Sequence, residues 1–396
     1  MEICKKTKRA VIFSEIFSEP LVFFYALLVP IFIKELHATT LQLILLTTLH
    51  PVVTFVAMYW SYFATKDSSK ILRVIKYGGI FARILWLLVP FFPNPWLIIV
   101  VAANYVLFTK GTSPAWSEIL RLKLDPTNRN KIFSIGSFWA YFIALILTLC
   151  INPYLGSLWK SAFFFSALIG LLAIPFQMQI EVPKNAFEKK PFKLLDPPKQ
   201  MGHILKTEAP FRQFQVRFMV FGIAMMLIHP VMMLYLVNVL KLNYVNIALL
   251  TAVCKGFGSL VSSRYWGKYM SKISMEKLST IIFLLFAGFL LLIQGAHLGL
   301  VFLYIAYFTK GVAQSAIHMI WHLSGPYYSG GKNSALFSSI NLVMVGFRGL
   351  FAPALGLNLA YFLGPSPVLW MAFGLCVCSG VLYPKTAFKE KEMDVA

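Results

Sequence analysis

The chain has 396 residues, 58% hydrophobic and only 13% charged, with a formal net charge of +21. This balance excludes an ordinary soluble domain, which is about half apolar and a quarter charged, and suits a chain whose solvent is lipid. A nucleic-acid binder is excluded too: the cations sit in short segments between long apolar runs and do not gather in one soluble stretch.

A helix needs about 20 mostly apolar residues to cross the hydrocarbon core of a bilayer. On that ruler, spans are expected at 10–33, 41–64, 71–92, 96–120, 132–152 and 160–180, then at 216–240, 246–265, 277–296, 299–321, 335–362 and 367–384. The opening MEICKKTKRAVIF has the basic-then-apolar order of a signal peptide. Glu15 and Glu19 interrupt its apolar part and no small-residue cleavage site follows, so it counts as the first span.

Lysine and arginine crowd alternate connections. With the N-terminus inside, the inner segments hold Lys66, Lys70, Arg73 and Lys76, then Arg121, Lys123, Arg129 and Lys131, and further basic groups through to Lys391. The outer loops hold only Lys34, Lys160 and Lys241. That asymmetry predicts both termini on the cytoplasmic side of a cell (inner) membrane, in a multi-pass protein with an even number of spans.

The stretch 181–215, containing KNAFEKKPFKLLDPPKQ, is rich in proline and mixed charge. It reads as a linker dividing the chain into two six-span units, 1–180 and 216–396. The units echo each other. Phe108-Thr109-Lys110-Gly111 recurs as Phe308-Thr309-Lys310-Gly311, and Tyr59-Trp60-Ser61 recurs as Tyr265-Trp266-Gly267. Lys66 and Ser68 match Lys272 and Ser274.

Twelve spans, a basic central linker and basic loops after spans two and eight together resemble the major facilitator superfamily. Its loop signature after span two, glycine, aspartate, basic residues and a second glycine, is degenerate here. Ser61 stands where the first glycine belongs and Thr65 where the aspartate belongs, followed by Lys66, Ser68 and Lys70. The second copy keeps Gly267 but has Ser271, Lys272 and Ser274. Two further stretches, Pro114-Ala115-Trp116 through Pro126 and Arg129, and Gly346-Phe347-Arg348-Gly349 leading into Ala352-Pro353, are similar to a bacterial branch. The resemblance implies an all-α fold of twelve transmembrane helices in two six-helix pseudo-symmetric bundles. It also implies a central cavity lined by spans one, four, seven and ten.

Ionisable groups deep in a span cost about 3 kcal/mol each on insertion scales and so mark function by default. The cations are Arg83, Lys110, Lys255, Lys310 and Arg348; the anions are Glu15 and Glu19, with Glu118 near the inner end of its span. Lys110 and Lys310 are expected about 15 Å from the inner ends, near the midplane, as clamps for an anionic group. Neutralisation by a glutamate, or snorkelling to the interface, is the structural alternative. Glu15 and Glu19, four residues apart on one helical face ahead of Pro20, cannot easily both stay ionised in a low dielectric, which suits proton coupling. Static ion pairs with the lysines are the alternative.

Thr251, Lys255, Ser259 and Ser262 form a polar stripe, and Ser338, Asn341 and Arg348 form another. Lipid would not tolerate such stripes; interhelical packing is the commoner reason for their serines and threonines, while the embedded charges tilt Lys255, Asn341 and Arg348 toward the cavity. Arg83 has no polar companions and is assigned a structural pairing with backbone carbonyls. Aromatic residues are expected mostly at lipid-facing and interfacial positions. His318, Trp321 and His322 lack a metal-ligand pattern, and His50-Pro51 and His229-Pro230 read as packed histidines beside kinks.

Enzyme and cofactor signals are poor. Ser324 to Lys332 misses the GxxxxGK spacing by one residue, and GxSxG and HExxH do not occur. The five cysteines form no CxxC pair, so no metal is implied. The expected function is secondary transport of a small organic anion or zwitterion by a monomer in the bilayer, without cofactor or nucleic acid. A non-transporting membrane sensor or scaffold, and a lipid flippase or membrane-embedded transferase, are the rival readings.

Overall fold

The computed structural model describes residues 2–64, 68–151, 154–180, 196–242, 246–247 and 249–382. Within these, the regular structure is helical throughout, with no strand. Thr65 and Lys66 of the degenerate loop motif, and 181–195 of the expected linker, lie outside the described residues.

The helices are α1 (Glu2–Ala26), α2 (Leu28–Lys34), α3 (Thr40–Ala64), α4 (Ser68–Ile84), α5 (Pro95–Lys123), α6 (Pro126–Cys150), α7 (Leu155–Leu171) and α8 (Ala173–Gln177). Next come α9 (Asp196–Thr207), α10 (Ala209–Leu234), α11 (Lys255–Met270), α12 (Met275–Gln294), α13 (Leu300–Tyr328), α14 (Ser334–Leu363) and α15 (Pro365–Val381). Of the expected linker, 196–207 is helix α9, and α10 begins at Ala209.

Eight of the described helices, alone or joined end to end, are long and apolar enough to cross a membrane, and the bent pair α1–α2 makes a ninth. The bend there is 41°. Pro30 has no N–H for the Ala26 carbonyl, so the helical ladder breaks at that point. Three more elements complete the twelve spans: α4, α11 and α15, of 17, 16 and 17 residues, the first two further diluted in apolarity by their lysines and arginines. Local chemistry sets several starts. Asn94 caps α5 ahead of Pro95, Asp125 caps α6 ahead of Pro126, and Ser274 and Asn333 cap α12 and α14.

Packing repeats after a shift of six spans. In the first half, α3 packs on α5, α1 on α6 and α7, and α4 on α5. In the second, α11 packs on α13, α10 on α14 and α15, and α12 on α13. The halves meet through two equivalent crossings, α3 with α14 and α6 with α11, while α5 also touches α13 and α14.

The glycines of the Phe-Thr-Lys-Gly repeat explain part of this. A Cβ on Gly111 would lie 2.8–3.1 Å from Trp60 and the Ala57 carbonyl of α3. A Cβ on Gly311 would overlap the Lys255 carbonyl of α11. Each glycine therefore lets two spans cross in backbone contact.

The second half holds the larger core. Phe211, Phe214, Phe218 and Phe221, at i, i+3, i+7 and i+10 on α10, are at most 2% exposed and stack toward Phe283 of α12. This column departs from the lipid-facing or interfacial placement expected for most of the aromatics. Helical spacing on one face turns these four rings inward.

One end of the molecule carries the basic loops and is called here the basic face. Polar contacts, several of them buried, join the halves there. Glu118 of α5, fully buried, accepts hydrogen bonds from the Ser334 backbone N–H at 2.8 Å and from the Ser334 hydroxyl, at the first turn of α14. Arg121, one turn along α5, donates to the same carboxylate at 2.6 and 2.9 Å. Ser339 of α14 donates to Ser61 of α3 at 3.2 Å, and the Arg264 guanidinium of α11 sits 4.0 Å from the Phe138 ring of α6.

Candidate functional site

A cavity of about 260 Å³ lies between the halves, walled by α1, α4, α5 and α8 on one side and by α13 and α14 on the other. It is larger than the ~150 Å³ void that accommodates benzene, so it has room for a small metabolite.

Three of the charged residues singled out from sequence line this cavity together: Glu15 and Glu19 from α1, and Lys110 from α5. Each is half-buried. The stem of Glu15 rests on α6, where a Cβ at Gly136 would lie 3.1 Å from the glutamate Cγ. Lys110 lies near the middle of a helix of 29 residues, about 43 Å long. Its Nζ sits 4.7 Å from the ring centre of Trp321 on α13, a cation–π contact across the two halves. Among the described residues, no carboxylate pairs with Lys110 within 4 Å, and no cation pairs with Glu15 or Glu19. The static ion pairs considered as the structural alternative are therefore not formed.

Arg83 also lines the cavity. It donates to the Gly79 carbonyl at 2.9 Å, in line with the carbonyl pairing expected for it, and to the Ser18 hydroxyl of α1 at 2.9 Å. Its stem passes over Gly170, where a Cβ would come within 2.9 Å of Nε. Arg83 is thus anchored by small residues with its charged head beside the Ser18–Glu19 stretch.

The opposite wall consists of residues that sequence reasoning set aside. His318, Trp321 and His322 lie on consecutive turns of α13. His318 and His322 have ring centres 4.6 Å apart, Trp321 stacks on His322, and Phe133 of α6 braces both histidines at 5.6 and 5.3 Å. His318 and Ser338 line the cavity, and His318 Nδ1 and the Ser338 hydroxyl oxygen are buried without a hydrogen-bond partner among the described residues, the latter packed against Gly325 of α13. Buried polar atoms are normally satisfied, so a small side-chain rotation would be needed for either atom to reach a bound polar molecule. The spacing of His318 and His322, one turn apart on an apolar span, was the available signal. Without their neighbours it could not be told from ordinary packing. No group of three or more potential metal ligands occurs among the described residues.

The other sequence-selected residues lie elsewhere. Lys310 does not line this cavity; its Nζ sits 5.1 and 5.2 Å from the rings of Phe289 and Tyr307, inside the second half. Helices α5 and α13 are both 29 residues long, and Lys110 is the sixteenth residue of one while Lys310 is the eleventh of the other. The repeated tetrapeptide is therefore displaced along the helix by about 7 Å, and the two lysines are not at matching depth. Lys255 follows the π-helical turn Leu249–Cys254, half-buried where α11 crosses α13. Asn341, fully buried, donates to Ser324 at 2.8 Å and to the Trp321 carbonyl at 3.3 Å, and accepts from Gln215. Arg348 turns back onto α10, donating to the Phe218 carbonyl at 2.8 Å and filling the space over Gly222.

A family model, Major Facilitator Superfamily, matches residues 11–330. No curated protein matches the sequence. Among solved structures, the human organic anion transporter MFSD10 (TETRAN) aligns with a TM-score of 0.72 at 11% identity, over 95% of this chain and 99% of that one. FucP, a superfamily transporter in the outward conformation, aligns with a TM-score of 0.66 at 10% identity, over 94% and 99%. The proton:xylose symporter XylE bound to 6-bromo-6-deoxy-D-glucose aligns with a TM-score of 0.66 at 14% identity, over 96% and 94%. At such identities the likeness extends to the fold alone.

Proposed function

The chain belongs to the major facilitator superfamily, and from that premise we propose that it moves a small organic acid across the cell (inner) membrane by alternating access, with both termini cytoplasmic. The observation that carries this reading is Lys110. Its ammonium faces a cavity between the two halves, no carboxylate among the described residues lies within 4 Å of it, and an aromatic wall stands opposite. A half-buried cation of this kind has an open position for a carboxylate or phosphate. Arg83 adds positive charge on the same side of the cavity, and His318 and Ser338 stand on the facing wall.

Glu15 and Glu19 supply the coupling. With both ionised, they balance Lys110 and Arg83 and discourage an anion from entering. A proton taken up by either glutamate leaves the cavity net positive. Proton and anion then favour each other's binding, and this linkage is reciprocal. The two carboxylates also suit a zwitterion whose ammonium would stand in for the proton.

Thermal-shift screening of the purified protein distinguishes these readings, because a ligand that binds only the folded state raises its melting temperature. A panel of small carboxylates and phosphate esters, each beside its amide or alcohol analogue, is expected to give shifts confined to the acids. Those shifts should be lost in Lys110→Gln. Shifts confined to amino acids would favour the zwitterion. Shifts as large in Lys110→Gln as in the wild type would reject the role given to Lys110.

A further inference from the structure

A second concavity lies on the outer flank of the second half. The groove, about 570 Å³, runs between α11 and α12 and is floored by Val312 of α13. These two helices are consecutive in sequence, yet each packs on α13 more than on the other, so the gap between them opens away from the protein core.

The side chains along the groove change character in one direction. Val261 and Ile281, 42% and 37% exposed, lie deepest relative to the basic face. Tyr265 and Tyr269 follow, 71% and 43% exposed, with Trp266 as a fixed wall whose indole N–H donates to the Val312 carbonyl at 2.9 Å. Lys268 in the last turn of α11 and Lys272 in the turn just past its end close the stripe, both exposed. From Val261 to Lys268 the helical rise is about 10 Å, and Lys272 lies beyond the end of α11. Among the described residues neither lysine has a carboxylate within 4 Å. Nearby Glu276 points inward, accepting from the Tyr328 hydroxyl at 2.9 Å.

Acyl-compatible residues at depth, aromatic rings at the headgroup level and two free ammonium groups at the water boundary follow the polarity profile of one phospholipid. A basic pocket between spans at the membrane boundary selects anionic headgroups. We propose that this groove binds an anionic phospholipid of the leaflet at the basic face, its phosphate held between Lys268 and Lys272 and a chain laid along Trp266 and Val312.

The test uses Trp266 as the reporter. Full-length protein is reconstituted in phosphatidylcholine vesicles in which either phosphatidylglycerol or part of the phosphatidylcholine carries brominated chains, which quench nearby tryptophan. The Trp266 signal is the difference between wild type and Trp266→Phe. The expected result is quenching by phosphatidylglycerol at about a tenfold lower mole fraction than by phosphatidylcholine, given that a lysine near the surface strengthens such binding several-fold. Lys268→Gln with Lys272→Gln should abolish the preference, and Lys268→Arg with Lys272→Arg should keep it. If the double glutamine variant does not remain monodisperse, Lys272→Gln alone is read in the same way, with a reduced preference expected. Equal quenching by the two lipids, or a preference that survives loss of the lysines, would overturn the proposal. So would a Trp266 shielded from both lipids, which would mean that a protein helix covers the groove.

Discussion

Glu118→Gln should loosen the contact between the halves at the basic face. The carboxylate is fully buried and receives the Ser334 backbone N–H at 2.8 Å and the Ser334 hydroxyl, at the positive end of α14. Its ion pair with Arg121 is formed within α5, so it survives when the halves part and cancels from the comparison. What differs between the joined and separated arrangements is the contact with the α14 N-terminus. Charge at a partly buried helix N-terminus contributes up to about 2 kcal/mol. Glutamine keeps the shape and one acceptor but loses the charge. The joined-to-separated ratio should therefore fall by up to about 30-fold. Ser334→Ala removes only the hydroxyl and leaves the backbone donor, so its effect should be nearer fivefold, about 1 kcal/mol. Spin labels at Lys131 and Lys277, exposed positions on the two halves in a background without native cysteine, would report the separation by pulsed electron paramagnetic resonance. A longer-distance population should grow in the order wild type, Ser334→Ala, Glu118→Gln. Identical distance distributions in all three would refute the reasoning.

Three other outcomes follow from particular contacts. Glu15→Gln or Glu19→Gln should abolish accumulation driven by an imposed proton gradient while leaving substrate exchange between equal pools intact, as counterflow in vesicles would show. Loss of both activities would make these residues structural. Gly311→Ala places a methyl group on the Lys255 carbonyl and should cost about 1–3 kcal/mol, visible as a drop of several degrees in melting temperature. Gly288→Ala, with nothing within 4 Å of its Cβ position, is the matched control and should leave the melting temperature almost unchanged. Arg217 joins three helices of the second half, donating to the Ser379 carbonyl at 3.0 Å and the Thr280 hydroxyl at 2.6 Å. Arg217→Met should destabilise by about 3 kcal/mol because buried acceptors lose their charged donor. Lysine, which lacks the planar fork, should restore only part of this in the same melting assay.

The architecture was legible from hydropathy because a bilayer forces each crossing into a long apolar run. The weakest signals came from α4, α11 and α15, where embedded cations or short length blur that pattern. Lys110, Glu15 and Glu19 stood out because a charge at depth needs a polar surface to face, and the cavity is that surface. The same rule selected Lys310, Asn341 and Arg348, yet their polar surfaces are rings, amides and carbonyls within one half. Which neighbour a helix face meets depends on the register between spans, and the repeated tetrapeptide concealed a five-residue displacement. His318, Trp321 and His322 were passed over for the complementary reason. An aromatic or a neutral histidine carries no insertion penalty large enough to advertise its role. Only packing beside Phe133 and opposite Lys110 distinguishes them from core.

Uptake of the acid selected by thermal shift into proteoliposomes tests the central claim most directly. Wild-type protein should transport it, Lys110→Ala should lower the initial rate more than tenfold, and Lys310→Ala, outside the cavity, should retain most of it. Undiminished uptake by Lys110→Ala in correctly folded protein would contradict the claim.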